Sequence, residues 1–367
     1  ETGDLLLVAG KGHEKTQDYG KRKLFFSDQK QIINSIKFKN KSLFKDLKLN
    51  IIKEESSSQI PKKTIIKKVS INSKNIKKND IFFAIKGKRI DGNRFIGEAF
   101  KKNSSLAIVN NINKNYPLSK QIKVKNTLNF LTKCSNNYRE NIDAKIISIT
   151  GSCGKTTLKE MIGFILKKIS RITISPKSFN NKYGVPVSLF NLKQNDEFGV
   201  VEVGMDRKGE IDNLTRIIKP DLGIITNISY AHSKNFKSIN QIAEAKAEIM
   251  NHIKKNGAIV LNSDDYFFNY HKKFAKKKKL KVISFGIDNK SSMIRLIKIK
   301  KINKKYQLFI NVQGMSVSFY SNNNNRSNLY NILATLASIN FYVDIKKIKK
   351  DIFLNFTNPL GRGDISK

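Results

Sequence analysis

The sequence predicts an α/β chain: a small N-terminal α/β domain, then a larger central domain of mostly parallel sheet, of the phosphate-loop ATPase type. Three observations carry this. Apolar strand-like runs alternate with helix-like stretches between residues 64 and 285, a pattern that gives parallel strands covered on both faces by helices. A glycine-rich turn at 150–157 joins an apolar strand to a helix start, as in sheets that hold phosphate at the carboxyl end of a strand. No apolar run reaches the ~18 residues that a membrane-spanning helix needs.

In chain order, residues 4–9 read as a buried strand entering the turn Gly10-Lys11-Gly12, with a helical stretch from Ser27. Residues 1–38 are therefore expected to be the tail of one domain, and the polar, Lys-rich residues 39–62 a linker. In the small domain, 63–144, strands are expected at 65–71, 81–85 and 106–109, and helices at 94–102 and 128–140. In the central domain, 145–358, strands are expected at 145–150, 198–203, 222–227, 258–262 and 281–285. Residues 307–319 alternate polar and apolar side chains, as an antiparallel edge would, and 328–340 read as a helix. The asparagine tract 322–325 is a solvated turn, and 359–367 read as a hinge into a further domain.

Charge adds less than its size suggests. Lys and Arg number 70 against 29 Asp and Glu, a formal +41 over 367 residues with 39% hydrophobic residues and no Trp, which excludes an acidic solvating chain. The excess is Lys scattered among Asn and Ile, and the densest runs, 276–279 and 298–305, lack the interleaved aromatics that stack on bases. They read as solvated faces, with no specific nucleic-acid partner. Two cysteines, Cys134 and Cys153, support neither a disulfide framework nor a metal-ligand spacing, which points to a reducing cytoplasm.

The chemistry concentrates at Thr150-Gly151-Ser152-Cys153-Gly154-Lys155-Thr156-Thr157. Glycines let backbone N–H groups face a phosphate at the helix start, Lys155 supplies a point charge, and Thr156 offers a hydroxyl to Mg²⁺. Only two residues separate the glycines, shorter than the common spacing, and Cys153 reads as a small loop filler. Glu202 ends the next buried run and His232 follows the one after, so both are candidate metal ligands at the same sheet edge. Lys246 lies on a helix whose positions three and four away are Ile242, Ala243, Ile249 and Met250, none of them acidic. Spacing alone reads it as a solvated lysine.

The runs TGSCGKTT, NNKYGVP at 180–186, VEVGMDRKGEI at 201–211, TNISYAH at 226–232, AEAKAEI at 243–249 and LNSDD at 261–265 resemble the Mur ligase family in order and spacing, over roughly residues 60–367. The likeness is greatest to the branch that adds D-alanyl-D-alanine to a UDP-N-acetylmuramoyl-tripeptide, and the segment 69–96 is similar to that branch's UDP-substrate domain. The resemblance implies ATP and Mg²⁺ as cofactors, with Gly151, Ser152, Cys153, Gly154, Lys155, Thr156 and Thr157 around the phosphates. It implies Asn262, Asp265 and Asn331 near the nucleoside and Arg362 reaching the phosphates from the hinge. Thr156, Glu202, His232 and a carbamylated Lys246 would be metal ligands, with Lys155, Lys246 and His232 catalytic. Asn180 and Asn181 would flank the substrate path, and Ser73 and Asp91 would meet the UDP-sugar. Where the family reads Asp-Ser-Arg and Gly-Arg-His-Asn, this chain reads Asn72-Ser73-Lys74 and Asn325-Arg326-Ser327-Asn328.

GDLLLVAGKGHEKTQDYG, 3–20, is similar instead to the C-terminal end of the family branch that adds the third amino acid, often diaminopimelate, and implies Gly10 and Glu14 as amino-acid contacts. The chain is thus expected to be the junction of two fused family ligases, cytoplasmic and monomeric. A folylpolyglutamate-synthase-like ligase and a basic nucleic-acid-binding ATPase are the alternatives.

Overall fold

The computed structural model describes residues 16–18, 23–25, 47–61, 63–87, 89–177, 179–230 and 235–359. Near the start, β1 (Thr16–Asp18) pairs antiparallel with β2 (Lys23–Phe25). The strand expected at 4–9 and the helix expected from Ser27 lie outside the described residues. The stretch read as a linker contains a helix, α1 (Leu47–Ser56), which buries Leu49, Ile51 and Ile52 and pairs Glu55 with Lys133 at 2.6 Å. Its apolar residues, Leu47, Leu49, Ile51 and Ile52, are confined to the first six positions and followed by a polar run, so the helical period extends over too short a stretch to stand out from the Lys-rich sequence around it.

The small domain is a four-stranded parallel sheet, β3 (Val69–Ser70), β4 (Ile81–Phe83), β5 (Leu106–Val109) and β6 (Gln121–Lys123), hydrogen-bonded in that order. It carries α2 (Ile96–Lys101) and α3 (Thr127–Glu140). The strand expected at 65–71 shrinks to two residues, and β6, with its single apolar residue, gave no sequence signal.

The central domain opens with β7 (Lys145–Thr150) and α4 (Lys155–Leu166), then β8 (Ile172–Ile174), α5 (Gly184–Phe190), β9 (Phe198–Glu202), α6 (Glu210–Ile218), β10 (Leu222–Ile225) and α7 (Ile239–Ala247). It continues through β11 (Ala258–Asn262), α8 (Phe268–Lys277), β12 (Lys281–Gly286), β13 (Ile294–Ile302), β14 (Lys305–Val312), β15 (Met315–Ser321) and α9 (Arg326–Asn340). The nine strands order as 15-14-13-12-11-10-7-9-8, parallel from β8 to β13 and antiparallel across β13–β15. The single edge expected at 307–319 is two strands turned at Gln313-Gly314, both at positive φ. Sequence order reverses at β7, which lies between β9 and β10, and parallel sheets open their ligand crevice at such a point.

Packing joins the two sheets. One apolar cluster contains Phe83 of β4, Phe130 of α3, and Phe190 of α5, with the Phe83 ring centroid 6.3 Å from Phe130 and 6.5 Å from Phe190. Just past α5, Asn191 accepts from Val69 N and donates to Val69 O, both at 2.8 Å, extending the edge of β3 with a side chain from the other domain. A second cluster packs α4 and α9 on the opposite face of the central sheet through Leu158, Ile162, Ile332 and Leu336. Among the described residues, no helix is long and apolar enough to cross a membrane.

Candidate active site

β7 leaves the buried sheet at Thr150, and the chain turns at once. Gly151 has φ +141°, and a Cβ there would lie 1.9 Å from Thr226 Oγ1, so only glycine lets the loop close on the segment after β10. Gly154 is left-handed at φ +81° and opens α4. The loop is laced to that neighbouring segment: Ser152 N donates to Asn227 O (2.9 Å), Cys153 N to Asn227 Oδ1 (2.9 Å), and Thr226 Oγ1 to Cys153 O (2.6 Å). A helix's first-turn N–H groups have no intrahelical acceptor and carry its positive dipole end, so the mouth of α4 favours an anion. Lys155 curls over the loop, donating to Gly151 O (2.8 Å) and Ser152 O (3.2 Å).

The next residue faces inward. Thr156 Oγ1 donates to Glu202 Oε2 at 2.7 Å, Asn180 Nδ2 donates to Glu202 Oε1 at 2.8 Å, and Glu202 N donates to Ser175 Oγ at 3.2 Å. Glu202 is buried at the end of β9. Thr156 and Glu202 together present hard oxygen donors beside the phosphate loop, the donor chemistry Mg²⁺ takes when phosphate and water complete its octahedron. The site therefore fits that ion, although no group of three or more His, Cys, Asp or Glu forms a complete protein cage among the described residues.

Lys246 is the largest departure from spacing alone. α7 buries it at 2% exposure, and no hydrogen bond or ion pair meets its amine among the described residues. Burial, and then the charge of Lys155, push it down to about 7 from its ordinary 10.5. A neutral amine of this kind is a nucleophile that can add CO2 and lose a proton to become a carbamate, which the solvated reading did not provide for.

A cavity of about 120 Å³ between the loop and α9 is lined by Cys153, Gly154, Asn262, Phe285, Tyr330 and Asn331. Asn331 Oδ1 lies 3.1 Å from where a Cβ on Gly154 would stand. Asn262 Oδ1 accepts from Asp264 N (3.0 Å), and Asp265 ties the two sheet-edge loops, accepting from Ile228 N (2.8 Å) and Phe267 N (2.9 Å).

Not all expected residues converge. Asn181 Oδ1 accepts from Tyr183 N (3.1 Å) and Gly184 N (3.0 Å), capping the entry to α5. Ser73 donates to Glu98 at 2.7 Å, and Asp91 accepts from the Asn93 backbone (2.9 Å) and side chain (2.7 Å), so both are bonded within the small domain. Thr157 is buried in the first turn of α4. His232, Arg362, Gly10 and Glu14 lie outside the described residues.

Sequence reasoning missed others. Asp264 accepts from Ile287 N (2.6 Å), Asp288 N (3.1 Å), Asn289 N (2.8 Å) and Tyr330 Oη (3.0 Å). Burial raises its carboxyl, but those donors outweigh burial and hold it below the carboxylate range. Lys159, fully buried on α4, was also missed. Its legible signal was a lysine on the stripe shared with Ile162.

Two family comparisons meet this geometry. The model of the Mur ligase middle domain matches residues 149–339, and that of the Mur ligase catalytic domain matches 65–139. The chain belongs to the Mur ligase family. Among its Mur ligase relatives, the UDP-N-acetylmuramoyl-tripeptide–D-alanyl-D-alanine ligase of Rickettsia prowazekii is 36% identical over 65% of this chain and 53% of the relative. The ligase of the same name from Buchnera aphidicola subsp. Acyrthosiphon pisum is 34% identical over 70% and 54%. The chain thus spans about half the length of the curated relatives it matches. Crystal structure I of MurF from Acinetobacter baumannii superposes with a TM-score of 0.75 at 27% identity, covering 87% of this chain and 70% of that one. MurF from Thermotoga maritima in complex with ADP shares the fold, at a TM-score of 0.68 and 24% identity over 82% and 68%. These Mur ligase structures agree with the parallel-sheet α/β class read from the sequence.

Proposed function

We propose that this chain is the substrate-domain and ATP-binding portion of a MurF-type ligase, which joins D-alanyl-D-alanine to UDP-N-acetylmuramoyl-tripeptide in peptidoglycan synthesis. The observation that carries the reading is the juxtaposition of the Gly151–Lys155 loop with the buried Thr156–Glu202 pair at the switch point of the sheet. The names of the relatives supply the substrate.

In this reading the tripeptide carboxylate attacks the γ-phosphate of ATP to give an acyl phosphate and ADP. The amine of D-alanyl-D-alanine then attacks the acyl carbon, phosphate leaves, and an amide forms. Phosphoryl transfer of this kind is mainly positioning and charge neutralisation. The α4 N-terminus and Lys155 bind and orient the phosphates, while the α9 cavity holds the nucleoside against Asn262 and Asn331. Thr156 and Glu202 would hold Mg²⁺, with His232 and a carbamylated Lys246 as further ligands, and the ion would neutralise charge developing on the transferred phosphoryl group. Arg362, Asn180, Asn181, Ser73 and Asp91 keep the roles the resemblance implies. We also propose that residues 1–38 are the closing segment of a MurE-type ligase fused upstream, on the strength of the Gly10–Glu14 run; reading the upstream coding sequence tests it.

The test of the main reading is titration of the chain with ATP and Mg²⁺. Lys155→Ala should weaken binding at least ~100-fold, and in the complete enzyme it should remove phosphate release that depends on the tripeptide. Parent-like affinity in that variant would overturn the reading.

A further inference from the structure

The scheme above leaves Lys159 unused. α4 places it three residues after Thr156, fully buried, with Nζ donating to Ser175 O (2.7 Å) and Lys177 O (2.6 Å) and 3.1 Å from Glu160 Oε1. A buried ammonium is far harder to accommodate than a Leu or Met of similar length, so packing alone does not account for it. The carbonyls it captures belong to a turn in which Lys177 is left-handed at φ +43°, a conformation that residues with a Cβ adopt only when their surroundings hold them there.

Besides Thr156, two side chains bond Glu202: Ser175 in that turn and Asn180 beyond it. Ser175 N donates to Val200 O (2.8 Å), and its Oγ accepts from Glu202 N (3.2 Å). A few residues on, Asn180 donates to Glu202 Oε1 (2.8 Å), and its carbonyl accepts from Gly204 N (2.7 Å). The connections form a closed circuit from Lys159 through the turn to Glu202, and from Glu202 back to α4 at Thr156.

Building on the proposed function, we infer that Lys159 is a positioning residue: it locks the turn at Ser175–Lys177 so that Glu202 presents its carboxylate beside the Thr156 hydroxyl for the divalent cation that accompanies the nucleotide. Loss of a group that orients a metal ligand typically costs about 10- to 100-fold in metal affinity or activity.

The experiment is titration calorimetry of ATP against the chain, with Mg²⁺ varied from none to saturating, alongside the thermal midpoint in chelator. For Lys159→Met, the Mg²⁺ concentration at half effect should rise ~10-fold or more, while metal-free nucleotide affinity stays within about twofold. Ser175→Ala, a small change that keeps the fold, should shift the Mg²⁺ requirement the same way by about threefold. Equal losses with and without Mg²⁺ would mean a merely structural lysine and overturn the inference. So would an unchanged Mg²⁺ requirement in Ser175→Ala, which decides the matter alone if Lys159→Met does not fold. A parent chain that binds no ATP, or a Lys155→Ala variant that binds it normally, would instead sink the functional reading and this inference with it.

Discussion

At the carboxyl edge of β7, β9 and β10, polar side chains bond across the fold. Thr156 of α4 reaches Glu202 of β9, Asn180 reaches the same carboxylate, and Thr226 closes the loop from the far side. At the carboxyl edge of the small sheet, Asp91 bonds a residue two positions on, and Ser73 bonds Glu98 of the same small domain. Both edges end parallel strands, where ligands bind in such sheets. The first is a frame in which each group is held by another element. The second consists of caps that satisfy themselves, so a ligand must displace local bonds or add to them. A substitution at the first edge should therefore harm both fold and binding, and one at the second should separate the two.

The largest effect should come from Gly151→Ala. Its Cβ would meet Thr226 Oγ1 at 1.9 Å on a backbone at φ +141°, so the loop must open. Denaturant unfolding should show a loss of about 3 kcal/mol, and ATP affinity should fall at least ~100-fold. A stable variant with normal affinity would mean that the loop is not a rigid frame.

Lys246→Met should act with the opposite sign on stability. The folded state holds this amine near 7, against an ordinary 10.5, so from about pH 7 to pH 10.5 the unfolded chain binds more protons than the folded one and stability rises with pH. Below pH 7 the lysine is protonated in both states and its burial cost is fully present. The methionine variant should thus be more stable than the parent by about 2–3 kcal/mol at pH 6, with the gap closing toward pH 10. Unfolding curves across that range check it, and a gap independent of pH would refute the buried-amine account.

How far the sequence disclosed these edges follows from the same contrast. β5 is a continuous apolar run and β7 and β11 are built on apolar stretches, and the structure gives all three the bounds expected. The loop was legible because glycines at fixed distances before Lys-Thr-Thr leave few other conformations. Glu202 was legible because it ends a buried run. The support behind Glu202 was not, since Ser175 and Lys159 meet in a turn whose shape depends on a left-handed lysine, and no local pattern marks one. β6 was missed because it has a single apolar residue, and α1 and β13 because their apolar residues lie in Lys-rich stretches that read as solvated. The environment of Lys246 was invisible for another reason: spacing showed only that no acid lay three or four positions away on its helix, while burial comes from neighbouring elements.

Between the edges, Asn191 joins the central domain to β3 through two 2.8 Å bonds to Val69. Asn191→Ala leaves one strand amide and one carbonyl without these partners, which should cost about 1–2 kcal/mol. If the domains are held in register mainly by the shared Phe83, Phe130 and Phe190 packing, calorimetry should still show a single transition. Two separated transitions would assign the register to Asn191.

The smallest effect on stability, and the sharpest on the contrast, belongs to Asp91. The Asn93 side-chain amide, and after it the Asn93 backbone N–H, hold its carboxyl below the ordinary 3.8. A carboxylate lowered in this way stabilises the fold above its unfolded value and loses that contribution as pH falls through the folded one. Asp91→Ala should therefore cost about 0.5–1 kcal/mol at pH 7, a cost that vanishes in acid below the folded value. On the proposed function, in which Asp91 meets the UDP-sugar, the same change should weaken UDP-N-acetylmuramoyl-tripeptide binding about tenfold, since a charged hydrogen bond to a ligand is worth more than a solvated cap. ATP affinity, set at the other edge, should not move. If instead ATP affinity falls with substrate affinity and in the same proportion, the two edges form one coupled site and the separation of frame from cap does not hold.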